Sequence, residues 1–159
     1  MTMDSDYSFN EHNKDEFPPA HTAEHLLNQL MVRMFGCERS RNAHIERKKS
    51  KISYILESKP DRRAERDIEQ QMNELIDADM PVTFEYVDRY NLPEGIDADR
   101  LPDDVSDMIR IVRIGDYDVC PCIGKHVRST SQIGRFEMLG TNWDESTHNF
   151  RIRYKVIAK

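Results

Sequence analysis

Two short segments that combine histidine and cysteine at one spacing constrain this chain most. HTAEH (21–25) has two histidines four residues apart, and CPCIGKH (120–126) has a cysteine four residues before a histidine. Nitrogen and sulfur donors together are typical of Zn²⁺, which prefers four ligands in a tetrahedral arrangement. One ion shared by both segments would require the fold to bring them together. The spacing predicts such a metal site, with the candidate ligands His21, His25, Cys122 and His126.

The first of these segments lies in a predicted amphipathic helix. From Ala20 to Phe35 the apolar residues recur at helical spacing. Two prolines precede this stretch and Gly36 follows it, which are signals of a helix start and a helix end. On such a helix His21 and His25 lie one turn apart on the same face, at the edge of the apolar stripe.

The rest of the chain predicts a second helix and about five strands. Asp61 opens this helix, which ends near Asp79 and carries a stripe of Ala64, Ile68, Met72, Leu75 and Ile76. Strands are predicted at 51–57, 82–86, 109–114, 135–139 and 150–157 from alternation or from β-branched and aromatic content, and a loop is predicted at 91–107. These elements predict an α+β fold in two layers, an antiparallel-rich sheet with helices packed on one face.

Composition and charge limit the class of protein. The chain has 159 residues, enough for one domain, predicted at 18–159 after a flexible acidic tail at 1–17. It has no apolar run of about 18 residues and no signal-peptide pattern at its start, which predicts a cytoplasmic protein without a membrane span. The net charge of −6 argues against indiscriminate nucleic-acid binding. The basic stretch 39–51 and the cations of the last strand are nevertheless candidates for contacts with phosphates.

Some readings of these segments remain open. HTAEH also fits the H-x-x-E-H signature of inverted zinc proteases, in which Glu24 would activate water, although this leaves the cysteine segment unexplained. Three cysteines make a poor disulfide framework. Cys120 is a further potential ligand, a thiol behind the ligands or a small buried residue, and Cys37 is predicted to be structural.

Four motifs, in this order, resemble the alanyl-tRNA editing family. That family comprises free-standing AlaX-type deacylases and the editing domain of alanyl-tRNA synthetase, and is related to the editing domain of threonyl-tRNA synthetase. HTAEHLL (21–27) is similar to its HxxxH helix, and DIEQQMNELI (67–76) to its helix with an asparagine before an apolar pair. CIGKHV (122–127) and TSQIGRF (130–136) resemble its CGGTHV and TGxIGxF segments.

The resemblance implies both a ligand set and an activity. It implies that His21, His25, Cys122 and His126 bind zinc within an editing-like domain. It also implies a trans-editing hydrolase, an aminoacyl-tRNA deacylase whose partner is aminoacylated tRNA and which removes mischarged serine or glycine. The aminoacyl ester is already activated, so positioning it supplies much of the rate, and no general base is assigned. Four protein ligands favour a structural zinc over a catalytic one.

The chain departs from the family pattern beside the predicted ligands. Ile123 and Lys125 stand where the family has glycine and threonine, and Ser131 replaces a glycine. Lys125 is a candidate contact for a phosphate or the aminoacyl carbonyl, or else a solvated lysine. Thr22 is a candidate contact for the bound amino acid, or else caps the helix start. Two further functions stay open: a non-catalytic zinc-stabilised binding module with the same fold, and a hydrolase of another small ester or amide.

Overall fold

The computed structural model describes residues 17–94, residue 96 and residues 108–158. The predicted acidic tail, apart from Phe17, and most of the predicted loop at 91–107 lie outside these residues. The described helices and strands are α1 (Pro18–Phe35), β1 (Asn42–His44), β2 (Ser50–Ile55), α2 (Arg62–Asp77), β3 (Val82–Asp88), β4 (Met108–Ile114), β5 (Asp118–Pro121), β6 (Arg135–Asp144) and β7 (Asn149–Ile157). A 3₁₀ turn at Thr130–Ile133 precedes β6.

The described strands form two antiparallel sheets. One has four strands in the order β1-β2-β7-β6, and the other has three in the order β3-β4-β5. The predicted α+β class is therefore confirmed. Seven strands are present where about five were predicted, because β1 and β5 are too short to show a clear period, and the strands form two sheets where one was expected. No helix in the described ranges has both the length and the apolar character needed to cross a membrane.

Helix α1 begins at Pro18, two residues before the predicted start. Proline is tolerated there because the first N–H groups of a helix have no partner within the helix. Gly36 ends the helix in the left-handed conformation at φ 69°, and its N–H donates to the Val32 carbonyl. The Tyr154 hydroxyl on β7 donates to the Ala20 carbonyl at 3.0 Å, which fastens the start of α1 to the larger sheet.

Helix α2 packs on β6 through an apolar stripe and one amide. Asp61 caps the helix as predicted, since its side chain accepts from the Ala64 N–H at 2.8 Å. The stripe residues Ile68, Met72 and Ile76 are fully buried. Asn73 donates to the Phe136 carbonyl at 3.0 Å and accepts from the Phe136 N–H at 2.9 Å, so one side chain satisfies both backbone groups of a β6 residue.

The segment between β5 and β6 is fixed at its far end by Thr130 and Gly134. The fully buried Thr130 hydroxyl lies 3.0 Å from the Leu75 carbonyl and accepts from the Met80 N–H at 2.9 Å. Gly134 has φ 100°, and a Cβ there would overlap the carbonyl oxygen of Ile157. These contacts hold the loop 122–129 between β5 and the 3₁₀ turn.

Candidate metal centre

The first turns of α1 face the loop that follows β5, and four polar side chains converge between them. The helix provides His21 and His25, and the loop provides Cys122 and His126. One ligand atom from each of the four lies within 4.8 Å of the others. The three imidazole centroids are 4.2, 4.5 and 5.1 Å apart. The fold thus brings together the two segments that were predicted to meet, whereas metal binding itself stays a prediction.

Each imidazole presents its Nδ1 atom to a different protein group. His21 Nδ1 donates to the Lys125 carbonyl at 3.0 Å, because a carbonyl only accepts. His126 Nδ1 lies 2.9 Å from the Thr22 hydroxyl, and His25 Nδ1 lies 3.8 Å from a carboxylate oxygen. The Nε2 atom of His21 in turn lies 3.4 Å from the Cys122 sulfur. Histidines that bind metal through Nε2 show this arrangement, with Nδ1 held by an outer partner.

The buried atoms of the cluster fit a metal ion. Among the described residues, His126 Nε2 is buried and has no hydrogen-bond partner. A buried polar atom without a partner costs about 1–3 kcal/mol, which coordination to a cation would remove. Three imidazoles and one thiol are also a ligand set that Zn²⁺ accepts. The group can therefore hold a metal ion, and its chemistry suits zinc.

Electrostatics favour the metal-binding forms of two of these side chains. Burial alone would raise the pKa of the Cys122 thiol, but the neighbouring imidazoles of His126, His21 and His25 outweigh it and lower the pKa to about 2. Burial lowers the pKa of His126 to about 4, aided by the charges of the other two histidines. At neutral pH the sulfur is therefore a thiolate and His126 a neutral imidazole, the forms that bind a metal.

The pKa values of the other two histidines, His21 and His25, are raised. Burial lowers the pKa of His21 and of His25, but the contact with Cys122 raises the pKa of His21 above its usual value. Contacts with Asp118 and Cys122 raise the pKa of His25 well above its usual value. In the metal-free cluster the Cys122 sulfur therefore favours a proton on both imidazoles more than water does, and a bound cation would compete with those protons.

Three polar residues that the motifs did not indicate lie behind His25. Asp118 on β5 has no exposed side-chain surface and accepts from Arg39 at 2.6 Å and from Gln29 at 2.9 Å. The period of a strand was a usable signal, since it places Asp118 on the same side of β5 as Cys120, two residues before Cys122. Arg39 belongs to the basic stretch expected to meet phosphates, yet its guanidinium is bound to this carboxylate.

The remaining candidates take varied positions around the cluster. Thr22 is fully buried, and its hydroxyl also accepts from the Val127 N–H at 3.2 Å. The side chains of Ile123 and Lys125 lie on the exposed surface of the loop. The substrate contacts of Thr22 and Lys125 stay predictions. Cys120 is partly buried and outside the group of four, with its sulfur 3.4 Å from the Pro121 carbonyl.

Comparison with known proteins relates the chain to tRNA editing. Residues 109–153 match the family described as the threonyl and alanyl tRNA synthetase second additional domain. The alanyl-tRNA editing protein AlaX-L of Pyrococcus horikoshii is 34% identical over 146 residues, which cover 87% of this chain. The alanine–tRNA ligases of Hyperthermus butylicus and Methylacidiphilum infernorum are 31% and 33% identical, over 87% and 76% of this chain.

These relatives are longer proteins. The chain spans 34% of the length of AlaX-L and 15% and 13% of the two ligases. The matched family segment contains Cys122 and His126, and the longer matches extend the relationship over most of the chain. With this sequence similarity and the α+β architecture, the chain is related to alanyl-tRNA editing proteins of the AlaX type and to the second additional domain of threonyl and alanyl tRNA synthetases.

Proposed function

We propose that residues 18–159 form one zinc-binding domain that acts as a trans-editing hydrolase. Its substrate is tRNA that carries the wrong amino acid, serine or glycine, and the reaction is hydrolysis of the aminoacyl ester. The observation that carries this proposal is the convergence of His21, His25, Cys122 and His126. It occurs in a chain of which 87% aligns with an alanyl-tRNA editing protein.

The residues of the site have three roles: some would hold the ion, others orient the imidazoles, and Lys125 faces solvent. The four donors would hold Zn²⁺, which when bound supplies a positive charge and a link between α1 and the loop. Thr22 and the Lys125 carbonyl orient two of the imidazoles. The exposed Lys125 ammonium is the candidate contact for a phosphate or for the aminoacyl carbonyl. Because the ester is activated, holding it beside these groups supplies much of the rate.

The test is deacylation of tRNA charged with serine, glycine or alanine. We expect the zinc-loaded protein to release serine or glycine and to spare alanine. His21→Ala should abolish release and lower the zinc content below one ion per chain. His44→Ala is the matched control for the zinc content, because this histidine lies outside the cluster with 70% of its side chain exposed. Cys122→Ser provides a second variant if His21→Ala does not fold.

One observation favours a second candidate, a non-catalytic zinc-stabilised binding module. Four protein donors fill a tetrahedral site and leave no position for a water molecule or a substrate. A folded protein that contains zinc, binds tRNA and releases no amino acid from any charged tRNA would support this module over the hydrolase. A folded protein that binds no zinc at all would contradict both.

A further inference from the structure

The carboxylate of Asp118 is buried directly behind one of the clustered histidines. Its side chain has no exposed surface, although an isolated buried carboxylate is strongly disfavoured. Arg39 provides two contacts, Nη1 to Oδ1 at 2.6 Å and Nη2 to Oδ2 at 3.3 Å. Gln29 Nε2 donates to Oδ1 at 2.9 Å. These donors compensate the charge and also fix the direction in which the carboxylate points.

The carboxylate points toward His25. Oδ1 accepts two hydrogen bonds, whereas Oδ2 accepts the longer one from Arg39 and faces His25 Nδ1 at 3.8 Å. In the part of the chain that the structure describes, this buried Nδ1 has no hydrogen-bond partner. A neutral imidazole carries one proton, and a carboxylate attracts that proton to the nitrogen that faces it. The other nitrogen, Nε2, then keeps its lone pair.

We propose that Asp118, oriented by Arg39 and Gln29, is a positioning residue that keeps His25 in the Nδ1–H tautomer with Nε2 directed into the cluster. The inference rests on the proposed metal centre but not on hydrolysis. Arg39 belongs to the basic stretch but forms a partly buried ion pair with Asp118. Without Arg39 the buried carboxylate would lack a compensating charge. The pair joins β5, which leads into the loop that contains Cys122 and His126, to the segment that follows α1.

Asp118→Asn tests this because the surrounding donors dictate how the amide will lie. Arg39 Nη1 and Gln29 both donate at the Oδ1 position, so the amide oxygen should lie there. The NH₂ group then faces His25 Nδ1 and donates to it, which moves the imidazole proton to Nε2. We expect zinc affinity, measured by competition with a chromophoric chelator, to fall about 10–100-fold. The control is Glu85→Gln, which removes one carboxylate from the exposed ion pair with Arg113 and should leave the affinity unchanged.

Nitrogen-15 NMR of the imidazoles provides a readout that a merely structural ion pair would not move. The spectra are recorded with zinc bound, or at a pH where the ring is neutral. In the wild-type protein His25 should then carry its proton on Nδ1, whereas in Asp118→Asn it should carry its proton on Nε2. A proton on Nε2 in the wild type would overturn the proposal, even if the variant does not fold. An unchanged tautomer and affinity in a folded variant would also overturn it.

The same measurements separate this inference from the proposed function. Zinc binding with the expected tautomer, but no deacylation, would leave the inference standing and remove the hydrolase. If the protein deacylates charged tRNA but wild-type His25 carries its proton on Nε2, the hydrolase stands and the proposed role of Asp118 is removed. If the wild type binds no zinc, the metal centre fails, and the tautomer of the metal-free protein still decides the role of Asp118.

Discussion

The buried hydroxyl of Thr22 allows a sharp test of how the cluster is held. It lies 2.9 Å from His126 Nδ1, accepts from the Val127 N–H at 3.2 Å and is inaccessible to solvent. If Nδ1 donates to this oxygen, His126 Nε2 keeps its lone pair for a metal. Thr22→Val preserves the branched shape and removes the polar atom that both groups contact.

The structure sets the size of the expected effect. The substitution leaves His126 Nδ1 and the Val127 N–H without their partner, and each unsatisfied buried group costs about 1–3 kcal/mol. Val127 is only partly buried, which keeps its contribution at the low end. We therefore expect the free energy of unfolding to fall by about 2–4 kcal/mol. Thr22→Ser keeps the oxygen and loses one buried methyl group, which costs about 1 kcal/mol.

Urea unfolding of the metal-free protein, followed by circular dichroism, measures this difference. Chelator competition measures the second consequence, a zinc affinity about 10–100-fold weaker in Thr22→Val and close to wild type in Thr22→Ser. The Thr22 hydroxyl does not hold the cluster if the free energies of unfolding of the two variants differ by less than about 0.5 kcal/mol and both variants bind zinc equally. Normal zinc binding with a selective loss of amino-acid specificity in Thr22→Val would instead support the predicted substrate contact.

Three further predictions concern the framework and the thiols. Gly134→Ala should lower the free energy of unfolding by more than about 3 kcal/mol, because the new Cβ meets a backbone carbonyl at φ 100°. Gly36→Ala should cost only about 1 kcal/mol, because a Cβ added there would meet no atom of a more distant residue within 4 Å; denaturant titration compares the two. In the metal-free protein, Cys122 should be alkylated at a nearly constant rate between about pH 5 and pH 8, since its pKa is about 2. Cys37 should react faster as the pH rises, since burial raises its pKa, and peptide mass spectrometry distinguishes the two thiols. Asn73→Ala should cost about 2 kcal/mol in thermal unfolding, because both backbone groups of one β6 residue lose their partner, and an unchanged melting temperature would contradict this.

Local sequence patterns were sufficient to predict the helices and the donor set. Helical periodicity, the prolines before α1 and the glycine after it defined the helix that holds two histidines one turn apart. The Asp61 cap and the stripe of α2 were equally visible. These features depend on interactions within about four residues along the chain, which a short pattern records directly. The choice of nitrogen and sulfur as donors likewise needs only the residue types.

Contacts between distant segments were decided only by the tertiary structure. No period indicates that the Thr22 hydroxyl meets His126, that the Lys125 carbonyl accepts from His21, or that Arg39 reaches across to Asp118. The division into two sheets was missed for the same reason. A motif therefore specifies which atoms are available as ligands. The groups that orient those atoms are chosen by packing, because orientation depends on neighbours that are close in space and remote in the chain.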